Sequence, residues 1–333
     1  YGAKSVFVFD GWLFAGSYRS KDNGVTWEST NKNIGIYATA IGKTIFFGEN
    51  NMYRSTDYIK SATKIKCYNP IYSMIVSKKA GLHICTDNGY IVDVVIGYGW
   101  RGINDNKEHS YYSIVQKGST IYVGTNDGVY SFPDTIDVYV DYTKTDLSDT
   151  IYSIGVNGTT MYAGTRSGIY RQKDGSSTWE KQTQVGNSPV RAIVINNGTI
   201  VAGTDNGIYI STNDGQTWTQ KNSGLTTTKI QSLFIEGNRI LAGTPQGVYL
   251  STNAGTSWTA INTGLSNTNV HCVAILYGKF LAGTDAGVFV SKDKGNSWHQ
   301  NPTDLVKSVV NTFLIYEHSP VETRLVAGTQ MQG

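Results

Sequence analysis

The tripeptide Ala-Gly-Thr begins at Ala163, Ala202, Ala242, Ala282 and Ala327, with Val-Gly-Thr at Val123. Around each lies the same phrase: an apolar run, Gly-Thr, two turn residues, Gly, then a second apolar run. "TIVAGTDNGIYIS", "RILAGTPQGVYLS" and "KFLAGTDAGVFVS" are three consecutive copies, and "LHICTDNGYIV" at Leu82 and "TIFFGENNMYRS" at Thr44 are weaker ones. About ten residues ahead of each phrase stands a triplet that reads apolar, variable, small. It occurs as Ile36-Tyr37-Ala38, Ile71-Tyr72-Ser73, Tyr111-Tyr112-Ser113, Ile151-Tyr152-Ser153, Val190-Arg191-Ala192, Ile230-Gln231-Ser232, Val270-His271-Cys272 and Val310-Asn311-Thr312. From Tyr72 onward the copies step by 39 or 40 residues. A unit this short cannot bury its own apolar surface, so its copies must stack on one another.

Each period reads as four short strands, clearest as "IQSLFIEG", "RILAGT", "GVYLST" and "TSWTAIN" between Ile230 and Asn262. The alternation has period two, glycine marks the turns, and no stretch carries helical periodicity. Composition agrees, with Gly 37, Tyr 22, Pro 6 and 16% charged residues, as expected of strands and tight turns. Four strands in about 40 residues describe a β-propeller blade. The expected fold is therefore all-β, a single β-propeller of four-stranded antiparallel blades over residues 1–333, with eight blades favoured and seven the alternative. The chain starts at Tyr1 without Met and ends inside a recurring unit at "LVAGTQMQG", so it reads as cut at both ends.

Several function classes lose support at this point. A net charge of +3 and a pI near 8.5, with no basic cluster, do not argue for nucleic acid. No run of about 20 apolar residues exists to span a membrane. Cys67, Cys85 and Cys272 form neither a disulfide framework nor a zinc spacing. No cofactor or metal is expected.

A second phrase, Ser-x-Asp/Asn-x-Gly-x-Thr/Ser-Trp, occurs as "SKDNGVTW" (Ser20 to Trp27), "STNDGQTW" (Ser211 to Trp218), "STNAGTSW" (Ser251 to Trp258) and "SKDKGNSW" (Ser291 to Trp298). A degenerate copy, "QKDGSSTW", ends at Trp179. This phrase resembles the Asp-box, or BNR repeat, shared by sialidases, sortilin-type receptors and photosystem II assembly-factor-like propellers. Its pairing with "AGTxxGVYxS", "NSGL" and "NTGL" is most similar to the last group. Asp22, Asn213, Asn253 and Asp293 would accept N–H bonds across a hairpin loop between third and fourth strands. Trp27, Trp179, Trp218, Trp258 and Trp298 would fill the gaps between blades. Recurrence in several blades favours architecture over catalysis. Calcium at Asp22 or Asp293 is the rival, although the box lacks carboxylates for about 6 to 8 oxygen ligands.

Candidate binding residues lie at the opposite end of the blades. The variable triplet position offers Tyr37, Tyr72, Tyr112, Tyr152, Arg191, Gln231, His271 and Asn311, expected at the mouth of a central channel. Its aromatic half either packs between blades or forms a ligand site. The segment "GYGWRGINDNKEHSYY" reads as a long interblade loop whose Tyr98, Trp100, Arg101 and His109 are residue types enriched at binding hot spots; Trp100 is alternatively a displaced box tryptophan. A sialidase would need an arginine triad and a Phe/Tyr-Arg-Ile-Pro motif, which the eight arginines do not supply. Asp105, Glu108, Asp146 and Asp149 leave room for a carboxylate pair of a glycoside hydrolase. Asn157 and Asn197 begin Asn-Gly-Thr sequons, both placed on two-residue hairpin turns.

The expected function is thus a non-enzymatic scaffold for a protein partner, a module of a surface or assembly protein, located extracellularly or in the periplasm. A carbohydrate-binding lectin using the tyrosine arc is the alternative, and a sialidase-like hydrolase a third. The sequence leaves the oligomeric state open.

Overall fold

The computed structural model describes residues 109–134, 142–300 and 309–310 with their side chains, and elsewhere the strand backbones alone. The side-chain-defined part holds five four-stranded antiparallel sheets, each in simple sequential order. They begin with strands Tyr111–Lys117, Ile151–Asn157, Val190–Asn196, Ser232–Glu236 and Val270–Leu276, and are named here by those first residues. In the Ile151 sheet the remaining strands are Thr160–Thr165, Gly168–Gln172 and Glu180–Lys181. Among the described residues the helical content is one 3-10 turn, Thr183–Val185, and no helix is long and apolar enough to cross a membrane.

The chain divides into two compact units, Ile71–Ile261 and the pair of segments Tyr1–Pro70 with Asn262–Gly333. Within the first unit, the first strands of consecutive sheets lie side by side. The second strand of each sheet is therefore covered on both faces, and Thr160–Thr165 is buried at every residue. This is why the Ala-Gly-Thr phrase is composed of small residues. A Cβ on Gly124 would come 2.6 Å from Ile151 Cγ2 of the next sheet, and one on Gly203 would come 2.6 Å from Ile230 Cγ2. In the second unit a Cβ on Gly283 would meet Val310 Cγ1 at 2.7 Å. Ile151, Ile230 and Val310, the apolar residues of their triplets, thus seat on the glycine of the preceding sheet.

The Gly-Thr-x-x-Gly turns are held from within. In all five described sheets the buried threonine hydroxyl lies 2.9 to 3.0 Å from the carbonyl of the glycine three residues on. It also accepts the N–H two residues on, again at 2.9 to 3.0 Å.

Of the tryptophans closing the second phrase, Trp179, Trp218, Trp258 and Trp298 are buried. Trp179, Trp218 and Trp258 belong to apolar clusters that combine residues of two neighbouring sheets, such as Ile210 with Ile240 around Trp258. The loop ahead of it folds on its own side chains. Asn213 Oδ1 accepts the Ser211 hydroxyl at 3.0 Å and the Thr217 N–H at 2.9 Å, and Ser211 Oγ accepts the Gly215 N–H at 2.9 Å. Asn253 and Asp293 repeat the pattern. Asp22 and Trp27 lie outside the described residues.

Candidate functional site

The variable triplet position has a distinct backbone cause. Tyr112, Tyr152, Arg191 and His271 each sit where the pairing between first and second strands slips by one residue, and the strand backbones show the same slip at Tyr72 and Asn311. A bulged residue is released from the ladder and its side chain is re-aimed. Tyr37 instead pairs regularly with Gly48. The Gln231 N–H bonds to the Gly243 carbonyl at 2.9 Å, just ahead of its strand.

In the Ile71–Ile261 unit, three consecutive bulges form a continuous arc. The Tyr112 and Tyr152 rings lie 6.1 Å apart between centroids, and the Arg191 guanidinium stands 5.5 Å over the Tyr152 ring. Tyr112 is 36% exposed, so this face is open to solvent. Arg191 is oriented from the turn that ends the next strand: its Nε donates to Asp205 Oδ1 at 2.7 Å and its Nη2 to Oδ2 at 3.0 Å. Such a two-pronged pair fixes the guanidinium plane as well as its position. The bonds to Asp205 outweigh burial and raise the Arg191 pKa above its ordinary value.

The same register recurs in the other unit with different chemistry. His271 Nε2 lies 2.6 Å from Asp285 Oδ1, and Asn269 Nδ2 donates to Oδ2 at 2.7 Å. Burial pushes the Asp285 carboxyl up, but the bonds from His271 and Asn269 more than offset it and leave the carboxyl below its usual range.

The described loop acids, Asp146 and Asp149, are occupied. Asp149 accepts the Thr150 N–H, the Thr165 hydroxyl, and both the N–H and hydroxyl of Ser167. These bonds overcome the upward push of burial and hold its carboxyl low. Asp146 Oδ2 accepts the Trp179 N–H at 3.3 Å. Among the described residues no three His, Cys, Asp or Glu side chains gather as a metal site. Asp105, Glu108 and Tyr98 lie outside the described residues, as do the side chains of Tyr37, Tyr72, Trp100 and Arg101. The backbone nonetheless shows that Trp100–Gly102 is a strand paired with Tyr90–Val92, the outer one of its sheet. The long loop is therefore interrupted by the outer strand. His109 is buried, edge-on to the Tyr130 ring at 5.1 Å.

Two participants come from outside the candidate positions: Asp205, which sets Arg191 and stands at the turn position that Asp285 also fills, and Asp214. The latter reaches from the loop of the Val190 sheet into the Ile151 sheet. There it accepts Tyr162 OH at 2.7 Å, Arg171 Nη2 at 2.6 Å, Asn157 Nδ2 at 3.0 Å and the Thr160 hydroxyl at 3.2 Å.

The profile of a family described as the DUF6242 beta propeller domain matches residues 182–331. No curated protein matches the chain. Among solved structures, the computationally designed Ika8 protein superposes with a TM-score of 0.62 at 12% identity, covering 87% of this chain and 95% of its own. YCF48, solved bound to a D1 peptide, gives 0.58 at 16% identity, covering 78% of this chain and 91% of its own. At such identities the likeness is one of fold. Together with the sequentially ordered four-stranded sheets, these matches identify the fold as a β-propeller.

Proposed function

We propose that the chain is a non-enzymatic platform on which a protein partner docks, built as one eight-bladed propeller of the Asp-box type and working at a cell surface or in a periplasm. The blade number is supported by strand backbones that group into eight four-stranded sheets and one two-stranded sheet. The Asp-box assignment is supported by the loops of Asn213, Asn253 and Asp293, which fold alike. A sequence rich in Tyr, Asn and Thr is the ground for the location.

The observation that carries the reading is the arc itself. Three neighbouring sheets each contribute one bulged side chain, Tyr112, Tyr152 and Arg191, to a single stacked surface braced by Asp205. Aromatic and arginine side chains held in fixed positions are the usual anchors of protein interfaces, and rigid scaffolds carry function on such protruding positions. The same rings could stack on a sugar, which makes a glycan the second reading.

Proximity labelling in the source cell tests the choice. A protein labelled by the wild type and lost with both Tyr152→Ala and Arg191→Gln supports the platform. Unchanged labelling with both variants, or retention on a glycan array with no labelled protein, overturns it.

A further inference from the structure

At the end of the sheets where the arc lies, carboxylates and cations are unequally occupied. Asp127 accepts Lys144 Nζ at 2.8 Å and Tyr130 OH at 3.1 Å. Asp205 is taken by Arg191, and the charge of Asp149 is met by four donors from Thr150, Thr165 and Ser167. The cations differ. Arg166 follows Thr165 in its turn, is exposed, and is fixed through its N–H to the Thr150 carbonyl at 2.9 Å, which places it beside the Tyr152 bulge. Lys229 is exposed immediately ahead of Ile230, whose N–H bonds to the Thr204 carbonyl of the Val190 sheet at 2.9 Å. Neither forms an ion pair among the described residues.

The consequence is chemical. A neutral sugar presents hydroxyls that need acceptors as well as donors, and a buried donor left without a partner costs affinity. A carboxylate needs donors only, and a guanidinium matches it with two parallel bonds. An aromatic arc flanked by uncommitted cations, with its own acids already bonded, suits an anion.

Resting on the platform reading above, we infer that the docking partner presents an acidic protein segment. Its Asp or Glu carboxylates meet Arg166 and Lys229, and an aromatic or apolar side chain lies on the Tyr112 and Tyr152 rings. Arg191 is committed to Asp205 and serves to orient Tyr152.

A displayed library of random 12-residue peptides, selected on the full chain, tests this. The expected pool is rich in Asp and Glu beside aromatic residues. Its members bind the Arg166→Gln/Lys229→Gln double variant on the order of tenfold more weakly, and they weaken on the wild type as salt rises. The unfolding midpoint of the double variant stays at the wild-type value, because neither side chain is buried. Neutral or basic winners, or acidic peptides that bind the double variant equally well, overturn the inference. Neutral winners that depend on Tyr112 would overturn the acidic partner while leaving the platform in place. No peptide winner, with retention of an acidic oligosaccharide such as hexagalacturonate, would overturn both.

Discussion

The Arg171 guanidinium donates to Asp214 Oδ2 at 2.6 Å across the boundary between two neighbouring sheets. Tyr162 OH, Asn157 and Thr160 converge on the same carboxylate. Burial pushes the Asp214 carboxyl up, but the bonds from Tyr162, Arg171 and Asn157 win and hold it low; burial first, and then the same carboxylate, drive the Tyr162 pKa upward.

Removing that acceptor strands several donors, two of them on the buried side chains of Tyr162 and Arg171. Asp214→Ala should therefore cost about 2 to 3 kcal/mol, the penalty for stranded buried donors and less than that for breaking a fully buried pair, because Asp214 keeps some solvent. Urea denaturation measures it. A loss indistinguishable from zero would show that the clasp holds nothing.

Gly224 and Gly118 make a matched test of close approach. Gly224 has φ +90 and a Cβ there would lie 2.1 Å from the Trp258 carbonyl oxygen, whereas Gly118 has φ +60 and open space around it. Gly118→Ala should cost about 1 kcal/mol, the conformational penalty alone. Gly224→Ala should cost at least about 3 kcal/mol, since backbone must move. Equal losses in thermal unfolding would refute the difference.

Trp258 is buried between two sheets, donates through Nε1 to the Lys221 carbonyl at 2.9 Å, and donates through its backbone N–H to the Ser223 carbonyl at 2.8 Å. Trp258→Ala should lower stability by about 3 to 5 kcal/mol. Peptide binding at the arc should persist at temperatures where the variant remains folded, as read by titration calorimetry.

Asp293 offers a pH test. The Ser297 hydroxyl and N–H, with the Ser291 hydroxyl, hold its carboxyl at about 2 against an ordinary 3.8. A depressed folded value means that the stabilisation is fully present above the ordinary carboxylate range and fades as pH falls toward about 2. Asp293→Asn should flatten the stability profile of this loop in that window, since Asn213 and Asn253 make the same Oδ1 bonds uncharged. Hydrogen exchange of the Ser297 N–H as a function of pH reads it directly. An identical profile in wild type and variant would contradict the assignment.

The repeat phrases made the strands and their order legible, because period-two alternation and glycine turns are local signals. The bulges were not. An extra residue in a ladder is defined by what the partner strand fails to bond, so Tyr152 and Arg191 show only as variable positions. Trp100 reads as a loop residue in the sequence because its three-residue outer strand is too short to show alternation. The two Asn-Gly-Thr sequons illustrate the same limit. Asn197, at φ 47, and Gly198 form the two-residue turn, whereas Asn157 pairs with Thr160 as the last strand residue and the turn falls on Gly158 and Thr159. Identical tripeptides thus land one register apart. Asp214 stayed hidden because the equivalent loop positions carry Ala254 and Lys294, and its partners are distant in sequence.

The seating of Ile151 on Gly124, of Val190 on Gly164 and of Ile230 on Gly203 runs in one direction along the chain. In each joint the earlier residue provides the socket and the later one the plug. A polypeptide leaving the ribosome N-terminus first can therefore complete each of these joints as soon as the following repeat emerges. Growth is vectorial, and none of them waits for the far end of the chain.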